Sequence, residues 1–215
     1  YPLRRQRQMC IRDRNIHTAE EFDNYTTFSL WDTYRALHPI FTILQQQRTA
    51  DMINSMLAHY DQSAHEMLPV WSHHANENWC MIGYHAVPVI ADAMVKNIEG
   101  FDYARALEAC VTTARNGWYD GLDDYLKIGY VPDESTGSSV SVTLEYAYDD
   151  WCIAQAISTL AEKAPEDLAP NTTGHAASGQ KPAARPEVTS LLSSTSLSAP
   201  AWEVEAPTLP QHCKP

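Results

Sequence analysis

Basic residues are scarce once the start of the chain is passed. Five of the fifteen (Arg4, Arg5, Arg7, Arg12 and Arg14) fall in the first fourteen positions. From Asn15 to Lys163 seven basic residues face twenty-one acidic ones, and a net −14 over that stretch repels phosphate backbones and anionic headgroups. Nucleic acid and membrane surfaces are therefore poor partners, whereas neutral or cationic ligands fit. No apolar run approaches the roughly 20 residues that a spanning helix needs. The N-terminus also lacks the apolar core of a signal peptide, so any export signal would lie outside this chain. The five cysteines are odd in number and form no CxxC pair, which argues against a disulfide scaffold. Cys80, Cys110 and Cys152 sit in apolar helical runs and read as small buried core residues. Convincing strand alternation is absent.

What the chain has is helix-forming pattern and aromatic weight. Its 215 residues are 44% hydrophobic, with six Trp and eleven Tyr, enough for a sizeable core. Tyr103, Ala106, Leu107, Cys110, Val111 and Ala114 repeat at helical spacing, with Arg105, Glu108, Thr112 and Arg115 opposite. A second amphipathic helix covers about Arg48 to Tyr60, with Ala50, Ile53, Met56, Leu57 and Tyr60 as its stripe. A third runs from about Val142 to Glu162 and is expected to turn Leu144, Ala147, Trp151, Ala154, Ile157 and Ala161 inward. Two segments, about Asp32 to Leu44 and Trp79 to Asn97, are apolar nearly all round and read as helices buried on most sides. Each carries a proline, Pro39 or Pro88, expected to mark a kink or a new first turn. Buried helices alternating with amphipathic ones predict an all-α, two-layer α/α array whose loops converge on a central cavity.

The densest chemistry lies between Pro69 and His85, in Pro-Val-Trp-Ser-His-His-Ala-Asn-Glu-Asn-Trp-Cys-Met-Ile-Gly-Tyr-His. Polar groups beside an apolar run are stable only when hydrogen-bonded or holding a ligand. His73 and Glu77 have the i, i+4 separation of helical zinc ligands, but H-E-x-x-H is absent and no firm third ligand accompanies them, with His74 the nearest candidate. Glu77 could be a general acid, an acceptor for substrate hydroxyls, or a member of an ion pair or loop cap. His85 reads as a hydrogen-bonded core histidine. Trp31 beside Asp32 offers a flat apolar face and a carboxylate, the two elements sugar recognition needs; the competing reading is a core tryptophan and a helix-starting aspartate in a Ser29–Asp32 capping pattern. Glu145, Asp149 and Asp150 form an acidic cluster beside Trp151. Helical spacing puts Glu145 and Asp149 on one face, to pair with arginines or bind ligand.

Four separated stretches occur in one order: Phe28-Ser29-Leu30-Trp31-Asp32-Thr33-Tyr34-Arg35, Leu68-Pro69-Val70-Trp71 through Asn76-Glu77-Asn78, Met81-Ile82-Gly83-Tyr84-His85-Ala86-Val87-Pro88, and Leu144-Glu145-Tyr146-Ala147-Tyr148-Asp149-Asp150-Trp151. Together they resemble glycoside hydrolase family 92, over roughly Asn15 to Lys163. The resemblance implies an exo-acting, calcium-dependent, inverting α-mannosidase of bacterial glycan breakdown, periplasmic or extracellular. It implies an N-terminal β-sandwich domain, missing here, followed by an (α/α)6 toroid. Trp31 and Asp32 match the family's Trp-Asp pair and are expected to contact mannose. Glu77 matches the acidic residue of its Asn-Glu stretch, and His73, His74 and Asn76 are expected to line the same pocket. The family's general acid lies in a Thr-Glu-Gly-Asn motif and its base in a Gly-Asn-Asp-Asp-like motif, neither of which occurs here. Gly121-Leu122-Asp123-Asp124 lacks the asparagine and comes too early.

A closed toroid of this kind needs about twice the helices that this chain offers, so the expectation is a partial domain, inactive alone, with calcium ligands outside it. Residues 1–14, with Met9-Cys10-Ile11-Arg12-Asp13-Arg14, read as a non-native or disordered leader. Residues 15–163 form the partial toroid. Residues 164–215 hold eight of the thirteen prolines and one aromatic, Trp202, and read as a disordered or frameshifted tail. Two other classes stay open: a glycan-binding α/α module without catalytic carboxylates, and a helical zinc hydrolase using His73, His74 and Glu77.

Overall fold

A computed structural model describes residues 7–9, 16–26, 28–73 and 76–167. The chain divides into two compact units, residues 1–171 and 172–215, and every described residue belongs to the first. The remaining leader residues, and the tail from residue 168 onward, lie outside the described residues.

The architecture is all-α, as expected, and consistent with a partial α/α toroid. Its helices are α1 (Leu30–Thr33), α2 (Leu37–Leu44), α3 (Gln46–Gln62), α4 (Ala86–Val95), α5 (Tyr103–Ala114), α6 (Leu122–Ile128) and α7 (Ser139–Asp167). Two small antiparallel pairs interrupt them, which the sequence pattern does not announce. β1 (Arg7–Met9), inside the expected leader, pairs with β2 (Ile16–Thr18), and β3 (Ser72–His73) pairs with β4 (Asn76–Glu77). The second pair is two residues a side, too short for alternation to be visible.

α3 and α5 follow their periodicity. Ala50, Ile53, Met56, Leu57 and Tyr60 are all buried, as are Ala106, Leu107, Cys110 and Ala114. Asp102 caps α5 by accepting from the Arg105 amide at 3.0 Å, satisfying one of the open donors of the first turn. Pro39 and Pro88 each occupy the third position of a helix, where a missing N–H costs nothing because that donor has no partner within the helix. The chain therefore breaks ahead of each proline. The Asp32–Leu44 segment splits into α1 and α2, and the helix expected from Trp79 begins only at Ala86.

Three expectations about burial are corrected. α4 is buried on nearly all sides, but α2 is not: Leu37, Ile40, Ile43 and Leu44 are exposed while His38 and Thr42 are buried. α7, which packs most extensively on α4, buries Val142, Tyr146, Asp149, Ile153 and Ala156. Leu144, Ala147, Trp151, Ala154 and Ala161, expected to face inward, are exposed, and Ile157 is half-buried. α7 is amphipathic by two rival stripes, and the stripe with the aspartate wins because Asp149 finds its partners in Tyr84 and His85, just ahead of α4. Cys80 likewise departs from its expected burial and is exposed, in a loop instead of a helix. α6 carries no long apolar stripe. It is set by Gly121 and Gly129, at φ +74° and +83°, which bound it on either side.

The choice of face on α7 is testable. Tyr146→Ala should destabilise the chain by about 3–5 kcal/mol in urea unfolding, whereas Trp151→Ala should cost under about 1 kcal/mol. The opposite ranking would restore the face expected from sequence.

Candidate functional site

The site grows from one buried carboxylate. Asp149 on α7 is fully buried and accepts from the Tyr84 amide at 2.8 Å; its other oxygen lies 2.8 Å from His85 Nδ1. His85 sits at the N-terminal end of α4, 1% exposed, so this contact ties the two helices together. Burial pushes the Asp149 carboxyl up to about 6; the His85 hydrogen bond and the Tyr84 amide oppose that rise, and Glu145 adds to it. The neighbouring Asp150 is also raised by burial, against hydrogen bonds donated by the Tyr84 hydroxyl at 2.8 Å and the Tyr125 hydroxyl at 3.1 Å.

One turn earlier on α7, Glu145 gathers α1. Its Oε1 accepts from Trp31 Nε1 at 3.2 Å and from Arg35 at 2.9 Å, and its Oε2 accepts from the Tyr34 hydroxyl at 3.2 Å. His85 Nε2 lies 3.3 Å from the same Oε2, but not aligned for a hydrogen bond. The Tyr34 ring stacks on the His85 imidazole at 4.2 Å, and the Arg35 guanidinium lies 5.0 Å from the centre of the Trp31 ring. Glu145 and Asp149 thus share one face, as their spacing predicts, and hold His85 between them. Gly83 makes room for this: at φ +76° it takes a conformation that side chains disfavour, and a Cβ there would come within 2.5 Å of His85 Nε2.

Trp31 is half-buried and Asp32 exposed, at the start of the four-residue α1. The expected Ser29–Asp32 capping pattern is not formed: the Ser29 side chain caps no helix amide, but donates to the Asp32 carboxylate and accepts from Trp71 Nε1 at 2.8 Å. A chain of hydrogen bonds therefore runs from Trp71 through Ser29 to Asp32.

Trp71 opens the β3–β4 loop, where Glu77 is the organising group. Its carboxylate accepts four backbone amides: Val70 at 2.8 Å, Trp71 at 2.7 Å, Asn78 at 3.0 Å and Trp79 at 3.1 Å. Burial raises its pKa, and these four amides pull the other way. Both oxygens are engaged in shaping the loop, the loop-cap role among those open from sequence. His73 and Asn76 pair across β3–β4, and His74 lies outside the described residues.

The residues that sequence reasoning underrated are Tyr34, Arg35 and His85. A partial cue was available: an acidic pair one turn apart on a helix needs positive or donating partners, and Arg35 is one of only seven basic residues from Asn15 to Lys163.

The glycosyl hydrolase family 92 catalytic domain model matches residues 4–171. No curated protein matches. Among solved structures, the chain is similar to the family GH92 α-mannosidase BT3965 from Bacteroides thetaiotaomicron, with 59% identity over 73% of this chain and 21% of that one, and a TM-score of 0.68. The same values apply to that protein in complex with mannoimidazole. The family GH92 inverting mannosidase BT2199 from Bacteroides thetaiotaomicron VPI-5482 is similar at 33% identity over 75% of this chain and 22% of that one, with a TM-score of 0.63. The chain thus spans about a fifth of the length of these structures.

Two measurements probe this geometry. Asp149 holds its proton more tightly folded than unfolded between pH 3.8 and about 6, so its contribution makes the fold less stable as pH rises through that window, by on the order of 3 kcal/mol. Urea midpoints taken from pH 4 to 7 should show this slope in the parent chain, and Asp149→Asn should remove it; an unchanged slope would place the titration elsewhere. Glu77→Gln halves the acceptors facing four amides, so thermal unfolding should register a loss of about 1–3 kcal/mol.

Proposed function

The chain belongs to glycosyl hydrolase family 92, and from that premise we propose that it forms one wall of the mannose pocket of an exo-acting, inverting α-mannosidase. The observation that carries this reading is the Trp31–Asp32 pair, an indole face beside an exposed carboxylate, tethered from two sides by Glu145 and by the Ser29–Trp71 bridge. Asp32 accepts sugar hydroxyls and Trp31 covers the apolar face of the ring, beside the loop that Glu77 shapes.

Inversion needs a carboxylic acid on the leaving oxygen and a carboxylate, roughly 6.5–9.5 Å away, to activate water on the opposite face. We assign neither role to Glu77, Glu145 or Asp149, whose oxygens are engaged with backbone amides, α1 and His85. Acid and base belong to the length that the mannosidase relatives have beyond this stretch. Calcium takes six to eight oxygen ligands. Among the described residues no three His, Cys, Asp or Glu side chains converge to hold a metal, and the engaged carboxylates leave no donor set for one. The described residues do not fit calcium.

The purified 215-residue chain is expected to bind mannoimidazole weakly in calorimetric titration and to release no mannose from aryl α-mannosides, with or without added calcium. Asp32→Ala should weaken that binding about tenfold or more. Mannose release by this chain would overturn the assignment of acid and base to other residues, and indifference of binding to Asp32→Ala would overturn the pocket.

A further inference from the structure

A second aromatic surface is built where three loops meet. Trp118, between α5 and α6, is 51% exposed. The His65 imidazole lies against it at 4.6 Å and 39°, and the Trp79 indole meets it edge-on at 4.6 Å and 88°. The arrangement is anchored below. Trp79 packs on Tyr119 at 5.4 Å; Tyr119 is 3% exposed, and its hydroxyl donates to the carbonyl oxygens of Met81 and Gly83 at 3.4 and 3.3 Å. The Asn116 side chain donates to the His65 carbonyl at 3.0 Å, pinning the α3–α4 loop to the loop that carries Trp118. Trp79 sits at φ +54°, a backbone conformation that bulky residues rarely adopt, held by the hydrogen bond its amide N–H donates to Glu77 and by the ring cluster.

We propose that Trp118 is the platform of a second sugar subsite, which stacks a neutral pyranose ring belonging to the same glycan whose terminal mannose enters the Trp31–Asp32 pocket. Although His65 and Trp79 lie against it, about half of the Trp118 side chain stays open and offers apolar indole surface to a ring. That chemistry suits a pyranose better than a protein, which would need a broader apolar patch. The chain's acidity, net −14 from Asn15 to Lys163, disfavours sulfated, phosphorylated or uronic acid sugars. The subsite joins the pocket mechanically, because the Glu77 carboxylate accepts from both the Trp71 amide on the pocket side and the Trp79 amide on the platform side. Naming the glycan as an α-mannoside rests on the functional reading above; the platform itself does not.

The test compares two ligands on the full 215-residue chain by calorimetric titration: mannoimidazole, which fills one sugar position, and a linear α-linked mannotrioside. Trp118→Ala should weaken mannotrioside binding about tenfold while leaving mannoimidazole affinity unchanged, and Trp118→Tyr should retain most of the mannotrioside affinity. The proposal is overturned by equal mannotrioside affinity in Trp118→Ala and the parent, by parallel loss of both ligands, by a lowered thermal midpoint with unchanged affinity, or by a parent chain that binds no mannotrioside. Trp118-dependent mannotrioside binding without any mannoimidazole binding would instead sink the pocket and keep the platform, which separates the two failures.

Discussion

The arrangement of α1, α4 and α7 hangs from the contact between Asp149 and His85. A carboxylate with no exposed surface is costly to bury, and it stays only because the Tyr84 amide and an imidazole meet its two oxygens. That requirement fixes the rotation of α7 about its axis, since only one face brings Asp149 to the end of α4. The helix then gives up the packing that Leu144 and Trp151 would have offered. A hydrophobic stripe can slide or be traded for another, but a buried carboxylate has far fewer acceptable positions. Once α7 is so turned, Glu145 one turn earlier necessarily points at His85 and at whatever lies above it.

What lies above it is α1, and there a second carboxylate takes over. Four residues cannot form a stable helix by themselves, because nucleation consumes more backbone entropy than one turn returns. α1 owes its place to side chains: three donors on Glu145 and the Trp71–Ser29–Asp32 chain. Glu77 has the equivalent role in the neighbouring β3–β4 loop, drawing four amides onto a single carboxylate. An acidic chain with few cations has used amides, phenols, an indole and an imidazole as partners for its buried acids.

The features of this organisation that were legible in the sequence are those carried by repetition. α3 and α5 show a single apolar stripe each, so their boundaries and buried residues follow from periodicity, and the two prolines locate the starts of α2 and α4 to within a turn. The features that were not legible depend on partners distant in sequence. α7 offers two stripes, and the deciding contact joins Asp149 to a residue 64 positions away. α2 is apolar by composition but leaves most of its large side chains open, which composition cannot distinguish from a buried helix. The short β3–β4 pair and the amide nest of Glu77 are local, yet a two-residue strand carries no period to read. Motif order singled out the Trp31–Asp32 pair before any geometry. Its support through Glu145 was not legible, because the indole N–H, a phenol and one arginine leave no spacing signature.

The division of labour between these carboxylates has a consequence for binding energetics. Asp149 lies inside the α4–α7 interface, so changes there are felt in stability. Glu145 lies between that interface and a segment too short to be structured alone, so changes there act first on how firmly Trp31 and Arg35 are held. A ligand meeting a loosened α1 must order it on arrival, and that entropy is subtracted from its affinity. Glu145 thus converts the rigidity of the α4–α7 core into the orientation of a half-buried indole beside an exposed carboxylate. A short tethered segment leaves Asp32 exposed and Trp31 half-buried, while Glu145, which holds that segment to α7, keeps only 16% of its side chain open to solvent.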